Sequence, residues 1–192
     1  MTARLVIMGP QGAGKGTQAA RLADRLGVPA ISTGDIFRAN IKGGTDLGRL
    51  VQEYTAKGEL VPDSVTNDMV RDRLAQADAA EGFILDGYPR NAAQVTELDE
   101  ILAALGTRLD AVVELTAERD ELLARLRNRA QVEGREDDTE EAIARRLDIY
   151  AEQTAPLTTA YGERGLLVRV DGIGEIDEIT ARLTDALAPA LG

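Results

Sequence analysis

Five short apolar runs punctuate the chain, at residues 5–8, 28–31, 83–85, 111–115 and 166–170. Each is bounded by polar or turn-forming residues and is too short for a core helix, so each predicts a strand. The runs are largely unbroken rather than alternating, as in strands covered on both faces. Between them, apolar residues recur at helical spacing. Ala19, Leu22, Ala23 and Leu26 form one stripe that Gly27 closes. Asn91 reads as an N-cap for a helix carrying Leu98, Ile101, Leu102 and Leu105 on one face. Thr116 precedes Glu118, Asp120 and Glu121, an acidic first turn suited to a helix start. Thr139 caps a segment with Ile143, Leu147 and Tyr150 at i, i+4, i+7, and the last helix shows Ile176, Ile179, Leu183 and Leu187. Strands alternating with helices predict an α/β fold: a five-stranded parallel sheet with helices on both faces. No internal repeat or low-complexity tract interrupts it.

Two stretches fit that plan poorly. Residues 32–61 lie between strands yet contain Gly34, Gly43, Gly44, Gly48 and Gly58, spaced through short helical pieces. Residues 128–138 are polar and interrupt two helices. Both read as inserts over the sheet edge, with ordinary surface loops as the alternative. The core domain is then 1–31, 62–127 and 139–192.

The run Gly9-Pro10-Gln11-Gly12-Ala13-Gly14-Lys15-Gly16-Thr17 sits between the first strand and the first helix. Glycines at these offsets let the backbone curl so that its N–H groups face one concavity at the positive end of the helix. Lys15 adds a mobile point charge, and the Thr17 hydroxyl is placed to touch a magnesium ion. The pattern is a phosphate-binding loop, a P-loop. Its general form has Ser or Thr directly after the lysine; here Gly16 intervenes, a spelling that narrows the family.

Composition sharpens this. The 192 residues include no cysteine and no histidine, which excludes disulfides, Cys/His metal sites, thiol nucleophiles and imidazole catalysis. Phosphoryl transfer needs none of these, because it depends on positioning and charge neutralisation. The formal net charge is −11, which argues against nucleic acid or an anionic membrane as the main partner. Aromatic residues are only 3% of the chain and Trp is absent, so the core must be aliphatic. No apolar run approaches the ~18 residues of a spanning helix, and no secretory leader precedes the first strand. A cytoplasmic protein is expected.

Further candidates cluster around strand ends. The third run ends in Asp86, which beside a phosphate loop can orient magnesium directly or through water; a strand-terminal Asp is also a common turn former. Gly87 permits close backbone approach, and Pro89 stiffens the exit so that Arg90 is held for a bidentate phosphate grip. Gln94 lies at capping-box distance from Asn91 and has two open readings, helix cap or ligand contact. Ser32-Thr33-Gly34-Asp35 with Arg38 is equally open, a second anion site or an N-cap with a solvated arginine. Arg125 and Arg129 stand one helical turn apart, with Arg127, Arg135, Arg145 and Arg146 nearby. Converging guanidiniums would neutralise a transferring phosphoryl group. For Arg127 and Arg145 a solvated face paired with acids is preferred; proximity to the polar insert tips the others toward function.

The chain resembles the adenylate kinases nearly end to end. The resemblance is carried by Gly12 to Thr17, Ile31-Ser32-Thr33-Gly34-Asp35 with Arg38, Asp86 to Arg90, Gln94, and Thr154-Ala155-Pro156-Leu157. It implies the reaction ATP + AMP ⇌ 2 ADP with Mg2+, on a doubly wound core with a lid over ATP and a flap over AMP. By position, Gly12, Ala13, Gly14, Lys15, Gly16, Thr17, Arg125, Arg129 and Gly174 would meet ATP. Thr33, Arg38, Glu59, Leu60, Val61, Gly87, Tyr88, Pro89, Arg90, Gln94, Arg135 and Arg146 would meet AMP, while Thr17 and Asp86 would hold magnesium. Gln94 thereby moves toward ligand contact. Asp137 and Asp138 match lid acids whose role stays open. Residues 32–61 become the AMP flap, and 128–138 a short lid without the longer β-rich piece or a structural zinc. A monomer is implied. A related UMP/CMP kinase is the nearest alternative, but such relatives tend to place Ala where this chain has Thr33. Another small-molecule P-loop kinase would not need the second nucleotide motif set. A GTPase-like switch would call for an Asn-Lys-x-Asp signature, which is absent. A non-catalytic nucleotide scaffold fits poorly with the intact Lys15 and arginine set.

Overall fold

The computed structural model describes residues 2–134 and 138–192. In chain order it runs β1 (Ala3–Met8), α1 (Lys15–Leu26), β2 (Ala30–Ser32), α2 (Thr33–Lys42), α3 (Asp46–Thr55), α4 (Asp63–Leu74), β3 (Gly82–Asp86), α5 (Ala92–Ala104), β4 (Ala111–Thr116), α6 (Arg119–Glu133), α7 (Glu140–Ile149), α8 (Leu157–Glu163), β5 (Leu167–Asp171) and α9 (Ile176–Leu191). The strands form one parallel sheet in the order β2-β3-β1-β4-β5. All five predicted strands and the α/β class are therefore present.

The unbroken apolar runs have a direct cause in the packing. Along β1, Leu5 and Ile7 face a core built with Ala19, Leu22, Ile179 and Leu183 of α1 and α9. Val6 and Met8 face the opposite core, with Val70, Leu98, Leu102 and Tyr161 of α4, α5 and α8. Since both faces are covered, neither parity of residue can be polar. A third, smaller core joins Phe37, Val51 and Val61, with Ile41, Leu47 and Tyr54 packed on it. It gives α2 and α3 their own apolar support between β2 and α4.

Several boundaries differ from expectation. β2 begins at Ala30, after Pro29, which cannot donate to the ladder. The polar stretch expected to interrupt two helices from residue 128 is helical through Glu133, because Arg, Ala, Gln and Glu are good helix formers. The helix stops where Gly134 takes a left-handed φ of 59°. Leu105 is 47% exposed at the C-cap of α5, and Ile176 is 49% exposed at the first position of α9, so neither joins its helix's buried stripe. Tyr150 is half-buried, and after Ile149 the chain makes a π-helical turn over Tyr150–Thr154.

In parallel sheets of this kind the crevice outside the strands' carboxyl ends is the place where ligands bind. Here β1 leads into the glycine loop, β2 into Thr33 and β3 into Gly87, and these segments form one wall of a common cleft.

Candidate active site

The glycine loop crosses from β1 to α1 over the top of the sheet. Gly14 caps α1 with φ 93°, a left-handed value that an L side chain rarely adopts, although nothing lies where its Cβ would be. Ala13 is buried under the loop, and its N–H donates to the Pro10 carbonyl at 3.1 Å. Gly12, Gly14, Lys15, Gly16 and Thr17 line the cleft. Lys15 donates to the Pro10 carbonyl at 3.2 Å, so it folds back on its own loop. Loss of hydration pushes its pKa down to about 8; Asp86 opposes this, while Arg90 and Arg129 add to it.

Asp86 ends β3 in register with Ser32 of β2 and Ile7 of β1, which puts its carboxylate beside the loop. A Cβ on Gly16 would lie 3.8 Å from Asp86 Oδ2. Among the described residues no group of three acids forms a ready-made cation cage. Beside the glycine loop, the Asp86 carboxylate and the exposed Thr17 hydroxyl are the donors that a hard divalent ion could use. Those donors suit a cation that keeps its waters and takes phosphate oxygens as its other ligands.

Past Asp86 the chain is pinned tightly. Gly87 has φ 88°, and a Cβ there would lie 2.5 Å from the Thr33 hydroxyl, so only glycine lets these two segments meet. Thr33 is buried and donates to the Asp86 carbonyl at 3.5 Å. Tyr88 is buried and donates to Asn67 at 2.7 Å; burial pushes its pKa up. Arg90 follows Pro89 and is held at three points. Its Nε donates to the Gly87 carbonyl, its N–H to Gln94 Oε1, and its carbonyl accepts from Thr154, each at 2.7 Å. Burial lowers its pKa, with Arg146 and Arg38 acting in the same sense and Asp86 against. The guanidinium is therefore a fixed, poorly hydrated cation wanting an anion.

Gln94 resolves its two readings in an unexpected way. The Asn91 side chain does cap α5 by accepting from the Gln94 N–H at 2.9 Å. The Gln94 side chain does not return the bond to Asn91; it spans Arg90 and Asp63. Gln94 is itself among the residues that line the cleft. Arg38 also lines the cleft, paired with Asp35, and Glu59, Leu60 and Val61 complete that side.

Helices α6 and α7 bring the other arginines. Arg125 is tied to Glu121 at 2.7 Å and donates to the carbonyls of Gly172 (3.1 Å) and Gly12 (3.5 Å). Arg129 and Arg146 converge on Asp138. Arg129 meets one carboxylate oxygen through Nε and NH2 at 2.8 and 2.7 Å, and Arg146 meets the other at 3.1 Å. Arg146 also donates to the Thr55 carbonyl at 3.0 Å, linking this cluster to α3. The Asp138 side chain is fully buried and accepts further from Gln11 Nε2 of the glycine loop at 3.1 Å. Both guanidiniums thus share this one carboxylate, and both line the cleft. Arg127 is exposed with Glu140 3.8 Å away, and Arg145 is exposed. Arg135 and Asp137 lie outside the described residues. Gly174 follows β5 and is not among the residues that line the cleft; a Cβ there would meet the Glu178 carboxylate at 2.9 Å and the Arg182 guanidinium at 3.2 Å.

Sequence reasoning missed Gln11, Asp63 and any role for Thr154. Their contacts span 127, 31 and 64 residues of chain, so no local pattern signals them.

The cleft encloses about 1270 Å3, more than the ~300–1,000 Å3 of a site for one small ligand. The glycine loop, Thr33, Arg90 and Gln94 all line this one space. Comparison with known proteins agrees. The model of a family described as adenylate kinase matches residues 7–166. The adenylate kinase of Kocuria rhizophila is 64% identical over 96% of this chain and 98% of its own length. That of Bifidobacterium longum is 62% identical over 96% and 99%, and that of a Nocardioides species 60% over 96% and 96%.

Proposed function

The chain belongs to the adenylate kinase family, and we propose that this cleft performs its reaction, the reversible transfer of the terminal phosphoryl of ATP to AMP, giving two ADP. The observation that carries the reading is the convergence of Lys15, Arg90, Arg129 and Arg146 on one space between two nucleotide-sized ends. Residues 12–17 hold the ATP phosphates through backbone amides and the Lys15 ammonium. Arg125 sits where the triphosphate enters, and Arg135 belongs to the same arginine set by position. Thr33, Arg38, residues 59–61, residues 87–90 and Gln94 hold AMP.

The chemistry follows from what is present. An AMP phosphate oxygen attacks the terminal phosphorus of ATP in line; that bond forms as the bond to the bridging oxygen breaks, and ADP leaves. The attacking oxygen is already anionic at neutral pH, so no general base is required, and no covalent enzyme intermediate arises. The arginines neutralise charge as it spreads over the transferring oxygens. Arg129 and Arg146 are parked on Asp138 in the free chain, which stands in for phosphate until nucleotide arrives. Magnesium, when bound with ATP, supplies charge neutralisation at the phosphate oxygens, and Thr17 and Asp86 are the residues that would hold it.

Residues 32–61 act as the AMP flap and 128–138 as a short lid, and their reopening governs product release. The chain works as a monomer in the cytoplasm; no helix among the described residues is long and apolar enough to cross a membrane. Thr33 supports AMP over UMP or CMP. Purified protein given only ADP and magnesium is expected to yield ATP and AMP in equal amounts, and UDP or CDP alone to give far less. Absence of disproportionation from ADP would overturn the assignment.

A further inference from the structure

Gln94 is 2% exposed, and its planar amide is gripped at both ends. The Arg90 N–H donates to Oε1 at 2.7 Å, and Nε2 donates to Asp63 Oδ1 at 2.8 Å. A backbone N–H only donates and a carboxylate only accepts, so these partners permit one orientation of the amide. Each end retains one free valence, a lone pair on oxygen and a hydrogen on nitrogen. A base edge in the cleft thus meets an acceptor and a donor in fixed order. A 6-aminopurine offers an amino hydrogen and a bare N1, which match that order. A 6-oxopurine offers an oxygen and an N1–H, the reverse, and would be matched by the same amide turned over.

We propose that Asp63 is a specificity-determining positioning residue: by accepting from Gln94 it keeps the amide from turning over and so excludes 6-oxopurine monophosphates from the acceptor pocket. The inference rests on reading Gln94 as the base contact of that pocket. Asp63 reaches it because it opens α4, which packs beside α5, and the same oxygen accepts from Asn91 Nδ2 at 3.0 Å. A carboxylate in a helix's first turn also has an ordinary explanation, stabilisation of the helix dipole. That role alone would cost stability and leave base choice unchanged.

The test is the ratio of kcat/KM for AMP over IMP with saturating Mg·ATP, alongside the melting temperature. Asp63→Asn keeps the shape but lets position 63 donate, and the ratio is expected to fall by about tenfold or more, the scale of one charged hydrogen-bond partner. The Arg90 N–H still favours the native orientation, so some preference for AMP remains. Asp63→Glu keeps an acceptor-only group and is expected to preserve the ratio. Should Asp63→Asn not fold, Asp63→Gln against Asp63→Glu makes the same comparison. An unchanged ratio in the variant that lacks the carboxylate, with only melting lowered, would overturn the proposal. Gln94→Ala separates the two layers. If it levels the ratio while loss of the Asp63 carboxylate does not, only the Asp63 assignment fails; if it too leaves the ratio intact, Gln94 is not the base contact.

Discussion

Consider the substitution Lys15→Met in an otherwise intact chain, probed with two adenosines joined by five phosphates. Every phosphate of that ligand is bridged on both sides, so the ligand itself does not titrate near neutrality. In the free cleft the Lys15 pKa is lowered from 10.5 to about 8, first by desolvation and then by Arg90 and Arg129. Phosphate at Nζ favours the charged form, so the pKa rises in the complex. The sign follows: the ligand binds the protonated lysine, the free protein loses that proton as pH rises through about 8, and binding above that pH must take a proton up. At pH 9 the free ammonium is roughly one-tenth populated, giving an uptake of about 0.9 proton per ligand; at pH 7 the uptake is about 0.1. Above pH 8 affinity falls by about tenfold per pH unit until the complex itself titrates. Isothermal calorimetry in two buffers of different ionisation enthalpy reads the uptake directly. Lys15→Met should abolish it and reduce kcat by at least about a hundredfold, the scale of ~2.7–4 kcal/mol for one electrostatic stabiliser. No uptake at pH 9 in the unsubstituted chain, or equal uptake in Lys15→Met, would refute the placement of this ammonium on phosphate.

Three further perturbations address neighbouring parts of the cleft. Asp138→Asn removes the carboxylate shared by Arg129 and Arg146; breaking such a buried cluster costs about 3–5 kcal/mol. Melting of the free chain should therefore drop by roughly 6–20 °C, with much of the loss recovered by the five-phosphate ligand; an unchanged melting curve would contradict the buried pairing. Thr154→Val deletes the donor to the Arg90 carbonyl, and the KM for AMP should rise roughly five- to tenfold with that for ATP unchanged; equal effects on both substrates would argue against a role in positioning Arg90. Gly87→Ala forces a methyl within 2.5 Å of the Thr33 hydroxyl at a φ of 88°, so AMP binding measured by titration should weaken at least about tenfold while binding at the glycine loop persists. Normal AMP affinity in that variant would show that the two segments have room to part.

The sheet was legible because its physics is local: a strand buried on both faces must be apolar at every position, and 5–8 and 83–85 read that way without further information. The helices were legible in their interiors and less so at their ends. Leu105 and Ile176 keep the helical spacing but sit at the last and first turns, where the helix no longer rests on the sheet. The polar residues 128–133 lack an apolar face, yet they remain helical through propensity and continuity with Leu122 and Leu126. At the site, the glycine loop declares itself because its chemistry is contiguous. Asp138 was visible as an acid, but not as the buried anion joining the arginines of α6 and α7, since burial arises only when distant segments close over it. Gln11 and Asp63 have no local signature; each acts through a partner across the fold. Gln94 illustrates the limit well. Spacing identified the cap and left the side chain open between cap and ligand; the backbone N–H satisfies Asn91, and the side-chain amide goes to Arg90 and Asp63 instead.

The crystal structure of the chain with the two-adenosine, five-phosphate ligand bears most directly on two nucleotides sharing one cationic cleft. One adenine is expected against Gln94 and Thr33 and the other beyond the glycine loop. The phosphates between them should lie within hydrogen-bond reach of Lys15, Arg90, Arg129 and Arg146. A ligand ordered at one end only, or phosphates bound with Lys15 still on the Pro10 carbonyl and Arg129 still on Asp138, would contradict the account.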